Sequence, residues 1–314
     1  MLQYTIRKLL AAIPIILAIT VIVFVILHAT PGDPIRILIG FGTGGYSGGD
    51  VEASMLDQLR AKWGLDQPLH IQYFKWLGNI FKGEMGNSIR FRSPVWPLIR
   101  ARMWPTIVLG LVGYGVAMCL AFPLGIVSAL KQNSAIDYLS TGFSLFGMSM
   151  PSFWLGLMLI LLFSVNWRLL PTSGMGGWKT FVMPGFVLGF GMAGSLTRMI
   201  RSSFLEVLRQ DYVRTARSKG LLERSVLVKH ALRNAAIPIV TMFGFFLAYL
   251  LSGSVLIETI FAWPGLGRLA YQSLANRDYP VVQAIILIGS GAVVMANLLT
   301  DLVYGFIDPR IRYD

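Results

Sequence analysis

Long apolar runs separated by short polar stretches set the rhythm of this 314-residue chain. Roughly 20 apolar residues cross a bilayer as a helix, and six runs reach or approach that length: 9–27, 106–130, 138–165, 181–196, 237–257 and 281–300. The pattern predicts an all-α membrane protein with six transmembrane helices. The fourth run is the shortest and carries Gly185, Gly189, Gly191 and Gly194, small residues that let helices approach closely. Its ends are the least sharply drawn of the six.

Between the first two runs lies a long polar insertion, so the chain divides into 1–30 (N-terminal segment and first span), 31–105 (insertion) and 106–314 (a five-helix core). Inside the insertion a Gly-rich link, 42–49, precedes helical spacing over 52–62. Gly64 then acts as a stop and Pro68 as a start, after which Leu69, Tyr73, Trp76, Leu77 and Ile80 recur on one helical face. This pattern fits a small helical lid lying on the membrane surface outside the cell, preferred here over a merely decorative loop.

Composition agrees with the pattern. Hydrophobic residues make up 55% of the chain and charged residues 13%, and the mean hydropathy is +0.64, outside the soluble globular range. Arg7 and Lys8 before the first run resemble a signal-peptide start, but no small-residue cleavage site follows the run, so it is read as a retained helix. Cys119, the single cysteine, falls in an apolar run, which excludes an intrachain disulfide and is read as packing.

Basic residues in short loops stay on the cytoplasmic side. Placing both termini there puts Arg7, Lys8, Lys131, the nine basic residues of 198–233, Arg310 and Arg312 inside. Only Arg168, Lys179, Arg268 and Arg277 then fall in short outer loops. The net charge of +12 is thus mostly topology and contact with anionic membrane lipid rather than nucleic-acid binding.

What the chain lacks narrows its chemistry. As drawn, spans two to five hold no Asp, Glu, Lys, Arg or His, whereas ion-coupled carriers place ionisable groups near mid-membrane. An ion-coupled secondary transporter is therefore the disfavoured alternative, although a carrier binding Na⁺ through backbone carbonyls would escape the argument. No phosphate-cradling loop is present: the stretch Gly177, Trp178, Lys179, Thr180 lacks a glycine beside its lysine. Two dinucleotide-like glycine triplets, at 40/42/45 and 189/191/194, lie in a linker and in a membrane span. His28, His70 and His230 are too scattered for one metal site, and no hydrolase elbow or paired-histidine zinc motif occurs. The chain is read as a non-enzyme with no metal or cofactor of its own.

The cytoplasmic loop 198–236 is the most informative segment. Residues 198–233 hold nine Lys/Arg and three Asp/Glu with helical spacing, interrupted by Gly220. Glycine tolerates the left-handed dihedrals of a helix end, so two short helices with a turn between them are expected. Tyr212, Ala216, Leu221, Leu222, Val226 and Leu227 could fill a partner's groove while basic residues ring the contact. The same residues would suit an amphipathic helix on anionic lipid, and docking is the preferred of the two.

At this point the chain resembles a family. Residues 211–220 (DYVRTARSKG) and 229–238 (KHALRNAAIP) are similar to the coupling loop of permease subunits in binding-protein-dependent ABC importers, close to the dipeptide, oligopeptide and nickel branch. Blocks 31–34 (PGDP), 64–69 (GLDQPL), 150–154 (MPSFW), 258–267 (ETIFAWPGLG), 277–281 (RDYPV) and 308–312 (DPRIR) agree in order. The resemblance implies a type I (MetI-like) importer permease in a bacterial inner membrane. It also implies a second homologous permease, two cytoplasmic ATPases that carry ATP and Mg²⁺, and an extracytoplasmic substrate-binding protein. Carried over by position, Asp211, Arg214, Thr215, Ala216, Lys219, Gly220 and Leu221 are the expected ATPase-coupling residues. Arg214, Thr215 and Ala216 stand where the family's namesake motif has Glu-Ala-Ala, a departure that weakens any claim that a glutamate there is essential. Glu258, Phe261, Trp263, Pro264 and Gly265 are read either as an outer gate, a re-entrant hairpin with Trp263 anchored at the interface, or as a plain turn with a Trp in the aromatic belt. Peptides are the expected cargo, with nickel or metal chelates and glutathione as alternatives.

Overall fold

The computed structural model describes residues 2–29, 66–232, 235, 246 and 255–307. Several sequence expectations lie outside the described residues: the link 42–49, the helix 52–62, the stop at Gly64, the blocks 31–34 and 308–312, and most of the fifth run. All regular structure among the described residues is helical.

The first run forms α1, Leu2–Ala29, with Pro14 inside it. Leu69–Phe81 forms α2, entered from Pro68 in an extended conformation as the sequence indicates. Its apolar face lies on α1: the Tyr73 hydroxyl is 2.8 Å from Thr20 Oγ1, and the Phe24 ring meets Tyr73 edge-on at 5.4 Å. An uncompensated hydroxyl is costly in an apolar setting, so this pairing fixes where α2 sits on α1.

The second run continues further than its apolar core. Val95–Leu130, α3, is 36 residues long and passes through Pro105 and Pro123. At 1.5 Å per residue it spans about 54 Å, well beyond a ~30 Å hydrocarbon core. Its N-terminal part is buried by protein: Val95 and Ile99 pack with Leu266, Leu269, Val281 and Ala284.

The third run is not one straight helix. Ala135–Ser149, α4, and Ser152–Leu159, α5, meet at a 97° bend, with α5 running on through a wide π-type stretch, Ile160–Asn166. Pro151 causes the break, because the ring of a proline drives the preceding residue out of the helical region and Met150 is accordingly extended at ψ 122°.

Lys179–Leu208, α6, is the structural axis. It extends the fourth run at its C-terminal end, so Arg198 and Arg201, expected in a loop, belong to a continuous helix. Small residues four apart, Gly185, Gly189 and Ala193, form a ridge against α3. A Cβ at Gly189 would lie 2.5 Å from the Gly113 carbonyl oxygen, and one at Gly185 would lie 2.6 Å from Val112. On another face, a Cβ at Gly194 would lie 2.6 Å from the Ser144 carbonyl of α4. Without a water-driven hydrophobic effect between helices, such backbone contact is what holds them together.

After α6 come α7, Asp211–Ser218, and α8, a short turn at Glu223–Ser225 that widens into a π-type stretch at Val226–Ala231. Val255–Ile260, α9, and Leu266–Ala275, α10, frame the outer loop, and α11, Tyr279–Ile307, closes the chain against α1. Among the described residues four helices are long and apolar enough to cross a membrane, and the bent α4–α5 pair makes a fifth if counted as one span. Cys119 is exposed on α3 rather than packed inside.

Gly189→Ala forces a methyl group into the Gly113 backbone and is expected to destabilise the protein by ~1–3 kcal/mol. Gly115→Ala, where no atom lies within 4 Å, is expected to be neutral or stabilising by up to ~1 kcal/mol. Thermal unfolding of the two variants in detergent checks the contrast.

Candidate coupling surface and outer loop

The two groups of site residues singled out in the sequence lie at opposite ends of α6. Phe181, near one end, packs edge-on against Trp263 at 4.7 Å. Val207, near the other, belongs to the same buried cluster as Val213, Ala216 and Val226. Twenty-six residues of helix separate Phe181 from Val207, about 39 Å.

At the Val207 end, α7 is bounded by Lys219 and then by Gly220 at φ +73°. This is the left-handed turn expected of a glycine after a helix, with the Gly220 amide donating to the Arg217 carbonyl at 2.9 Å. No atom lies within 4 Å of a Cβ built at Gly220, so the dihedral rather than crowding selects glycine. Across the turn Arg217 donates two hydrogen bonds to Glu223, from Nε at 3.1 Å and from its terminal nitrogen at 2.6 Å. The fork-to-carboxylate geometry staples α7 to α8. Neither residue was singled out in the sequence, although opposite charges six apart astride a glycine were the available signal.

The apolar residues of the loop divide into two sets. Val213, Ala216 and Val226 are buried within this chain, joined to Ala117, Ile200 and Phe204 of the helices above. Ala216 is therefore an internal packing residue, as its α-helical position three after Val213 dictates. Tyr212, Leu221 and Leu222 face outward, and Leu222 is 80% exposed. Asp211, Arg214, Thr215, Lys219 and Gly220 are exposed as well; Arg214 and Asp211 are 3.9 Å apart, a loose surface pair. The Arg217 staple holds the Glu223 carboxyl below its usual range.

One of the basic residues assigned to this side has an internal partner. Arg201 of α6 donates to both carboxylate oxygens of Asp137 at the start of α4, at 2.7 and 2.9 Å. Ser128 and the Asn133 amide complete the Asp137 acceptor set. The result ties α3, α4 and α6 together where they leave the apolar region.

At the other end the outer loop is a clasp. Trp263 is fully buried, its indole N–H donating to the Pro105 carbonyl at 2.9 Å. Both sequence readings put this Trp at the lipid–water interface, and the structure corrects them. A carbonyl oxygen has two lone pairs, so the Pro105 carbonyl can take the indole N–H as a donor from outside its helix. Glu258, also buried, accepts from the Thr106 hydroxyl at 2.8 Å and the Arg268 amide at 2.9 Å. The Leu266 amide in turn donates to Thr106 Oγ1 at 2.7 Å. Glu258 and Thr106 thus satisfy the free N–H groups that open α10. Gly265 abuts the Glu258 carboxylate with no room for a Cβ, and Phe261 is buried against Met183 and Val187. Pro264 is half-buried beside them.

Comparison with known proteins now bears on this arrangement. The family profile for the N-terminal part of binding-protein-dependent transport system membrane components matches residues 1–109. The profile for binding-protein-dependent transport system inner membrane components matches residues 121–313. The chain belongs to this family. As an importer permease of this family it is a transporter subunit, and the ion-coupled carrier alternative falls. It is 43% identical to the oligopeptide transport system permease protein AppB of Bacillus subtilis (strain 168), with 100% of both chains covered. It is 41% identical to the glutathione transport system permease protein GsiC of Escherichia coli (strain K12), again with 100% of both covered. A solved inward-facing structure of the MetNI methionine ABC transporter shares the fold at TM-score 0.58 and 17% identity, covering 67% of this chain and 96% of that one. An amino acid ABC transporter does so at TM-score 0.52 and 15% identity, covering 66% and 92%. The permease fold is thus common to importers whose sequences have diverged widely.

Thr106→Val leaves Glu258 short of a donor and the Leu266 amide short of an acceptor, and is expected to destabilise the outer loop by ~1–3 kcal/mol, measurable as a lowered melting temperature. The Arg217–Glu223 staple contributes above the unfolded-state pKa of a glutamate and is lost as pH falls through the lowered folded-state value. Hydrogen exchange of the amides of α7 and α8 should accordingly quicken on acidification beyond its intrinsic pH dependence and, because the pair is half-exposed, in high salt.

Proposed function

We propose that this chain is one permease half of an ATP-driven peptide importer. In this reading six helices cross the membrane, the fifth formed by 237–257, and both termini and the loop 198–236 face the cytoplasm. A second permease of the same kind completes the path, two ATPases bind the inner surface, and a binding protein delivers cargo to the outer one. ATP and Mg²⁺ belong to the ATPases. Lipid surrounds the exposed apolar faces of α1 and α3.

The observation that carries this reading is the unbroken core running from Ala117 in α3 through Phe204 in α6 to Val213 and Val226 of the coupling helices. A surface knob hung on a flexible tether would absorb a push from a partner. One that shares its packing with two membrane helices moves them, since close-packed interiors shift between discrete arrangements rather than deforming. Tyr212, Leu221 and Leu222 supply the apolar contact and Arg214 and Lys219 the charged rim, while the Gly220 turn and the Arg217–Glu223 staple fix their shape. The outer clasp of Glu258 and Trp263 binds α9 and α10 to the outer half of α3, so any gating at that end moves these elements as one.

Peptide-like cargo is favoured because relatives at 43% and 41% identity are named for oligopeptide and glutathione transport, and glutathione is itself a tripeptide. A nickel or metal-chelate cargo is the weaker reading.

Gly220→Val places a β-branched residue at a left-handed position, with a strain of ~1–2 kcal/mol or more. In vesicles holding the complete transporter, it should uncouple ATP hydrolysis from peptide uptake while membrane insertion is kept. Gly220→Asn, which tolerates that conformation, should retain coupling. Equal uptake by the wild type and the valine variant would remove the coupling assignment.

A further inference from the structure

Two segments 190 residues apart meet at a single buried carboxylate. Asp278, fully buried just before α11, accepts the Ser88 hydroxyl, the Ile89 amide at 3.1 Å and the Arg90 amide at 3.3 Å. Ser88 Oγ also accepts from the Phe91 amide at 2.9 Å, and the Ser88 amide closes the loop on the Ser93 carbonyl at 2.9 Å. The loop 86–94 is thereby held rigidly against 276–280.

The charges this device presents are all of one sign. Arg90, Arg92 and Arg277 are exposed, and the only acid in the two segments is the buried Asp278. None of the three arginines forms an ion pair among the described residues, and Arg90 rests over the half-exposed Phe91 ring at 5.4 Å. Two of them also sit where an L-residue is rarely found: Arg92 has φ +49° and Arg277 φ +55°. Glycine or asparagine would hold either turn with less strain. Strain retained under an over-determined hydrogen-bond set concentrates at ligand clamps, and here it aims long cationic side chains outward from a fixed base.

We propose that this stapled arginine knob is the docking surface for an acidic patch on the extracytoplasmic binding protein, a reading that rests on the outward placement of 31–105 proposed above. A fluid lipid surface requires charge but no fixed geometry, whereas a protein partner is recognised by charges in defined register. The family's dependence on a binding protein supplies the partner on that side.

The test uses the complete transporter in nanodiscs of neutral lipid and the fluorescently labelled binding protein of the same system. Arg92→Gly and Arg277→Gly together remove two charges and relieve two strained positions; Arg90→Glu reverses the third at an ordinary backbone. Docking should weaken by about tenfold in each and its salt dependence should flatten, while the melting temperature of the double glycine variant stays the same or rises. Undiminished docking by these variants beside a docking wild type overturns the surface assignment alone. A difference seen only in nanodiscs containing phosphatidylglycerol overturns it in favour of a lipid contact. Failure of the wild-type transporter to dock the binding protein at any salt concentration overturns the importer topology itself, and this proposal with it.

Discussion

Contact between two backbones, the Gly113 carbonyl of α3 against Gly189 of α6, is the constraint on which the rest of the architecture depends. In lipid there is no hydrophobic force to press helices together, so adhesion comes from surfaces that fit at backbone distance. The ridge of Gly185, Gly189 and Ala193 gives α6 such a surface toward α3, and Gly194 gives it another toward α4. With its neighbours drawn in on two sides, α6 becomes a rod to which both functional ends are fixed. Helices α7 and α8 share its core at Phe204 and Val207, and the clasp of Glu258 and Trp263 leans on it through Phe181.

Much of this was legible in the sequence where a single local rule decides the outcome. Apolar run length located four long helices and one bent pair among the described residues, Pro68 marked the start of the amphipathic helix α2, and Gly220 announced the turn of the coupling loop. The small residues of the fourth run were readable as helix-packing residues. What escaped was tertiary. The extension of α3 past Pro105 depends on burial of Val95 and Ile99 by helices near the far end of the chain. The bend at Met150 was signalled by Pro151 but hidden by apolarity continuing on both sides. Trp263 carries an amphipathic side chain that suits an interface, and only the Pro105 carbonyl, 158 residues away, makes it an internal one.

Charge is used sparingly and at edges. Asp137 with Arg201 joins the start of α4 to α6, Arg217 with Glu223 fixes the coupling turn, and Glu258 caps α10 through neutral donors. The Arg217–Glu223 pair left a signal in its spacing of six astride Gly220, whereas nothing in spacing says that Asp137 meets Arg201, 64 residues away. Leu222 illustrates the converse: its strong exposure is unremarkable in a string of letters and becomes informative only when Val213 and Val226 on either side turn out to face inward.

The Asp278 staple also sets an order of events during biosynthesis. Ser88 and the amides beside it leave the ribosome 190 residues ahead of Asp278, an interval of about 10–40 s at ~5–20 residues per second. Until the last helix begins to emerge, those donors lack their acceptor and the outer arginines have no fixed base. A nascent chain that stalls or is cut short before that point therefore carries a loop at 86–94 without its anchor, and the closed staple becomes a built-in sign that synthesis has reached α11.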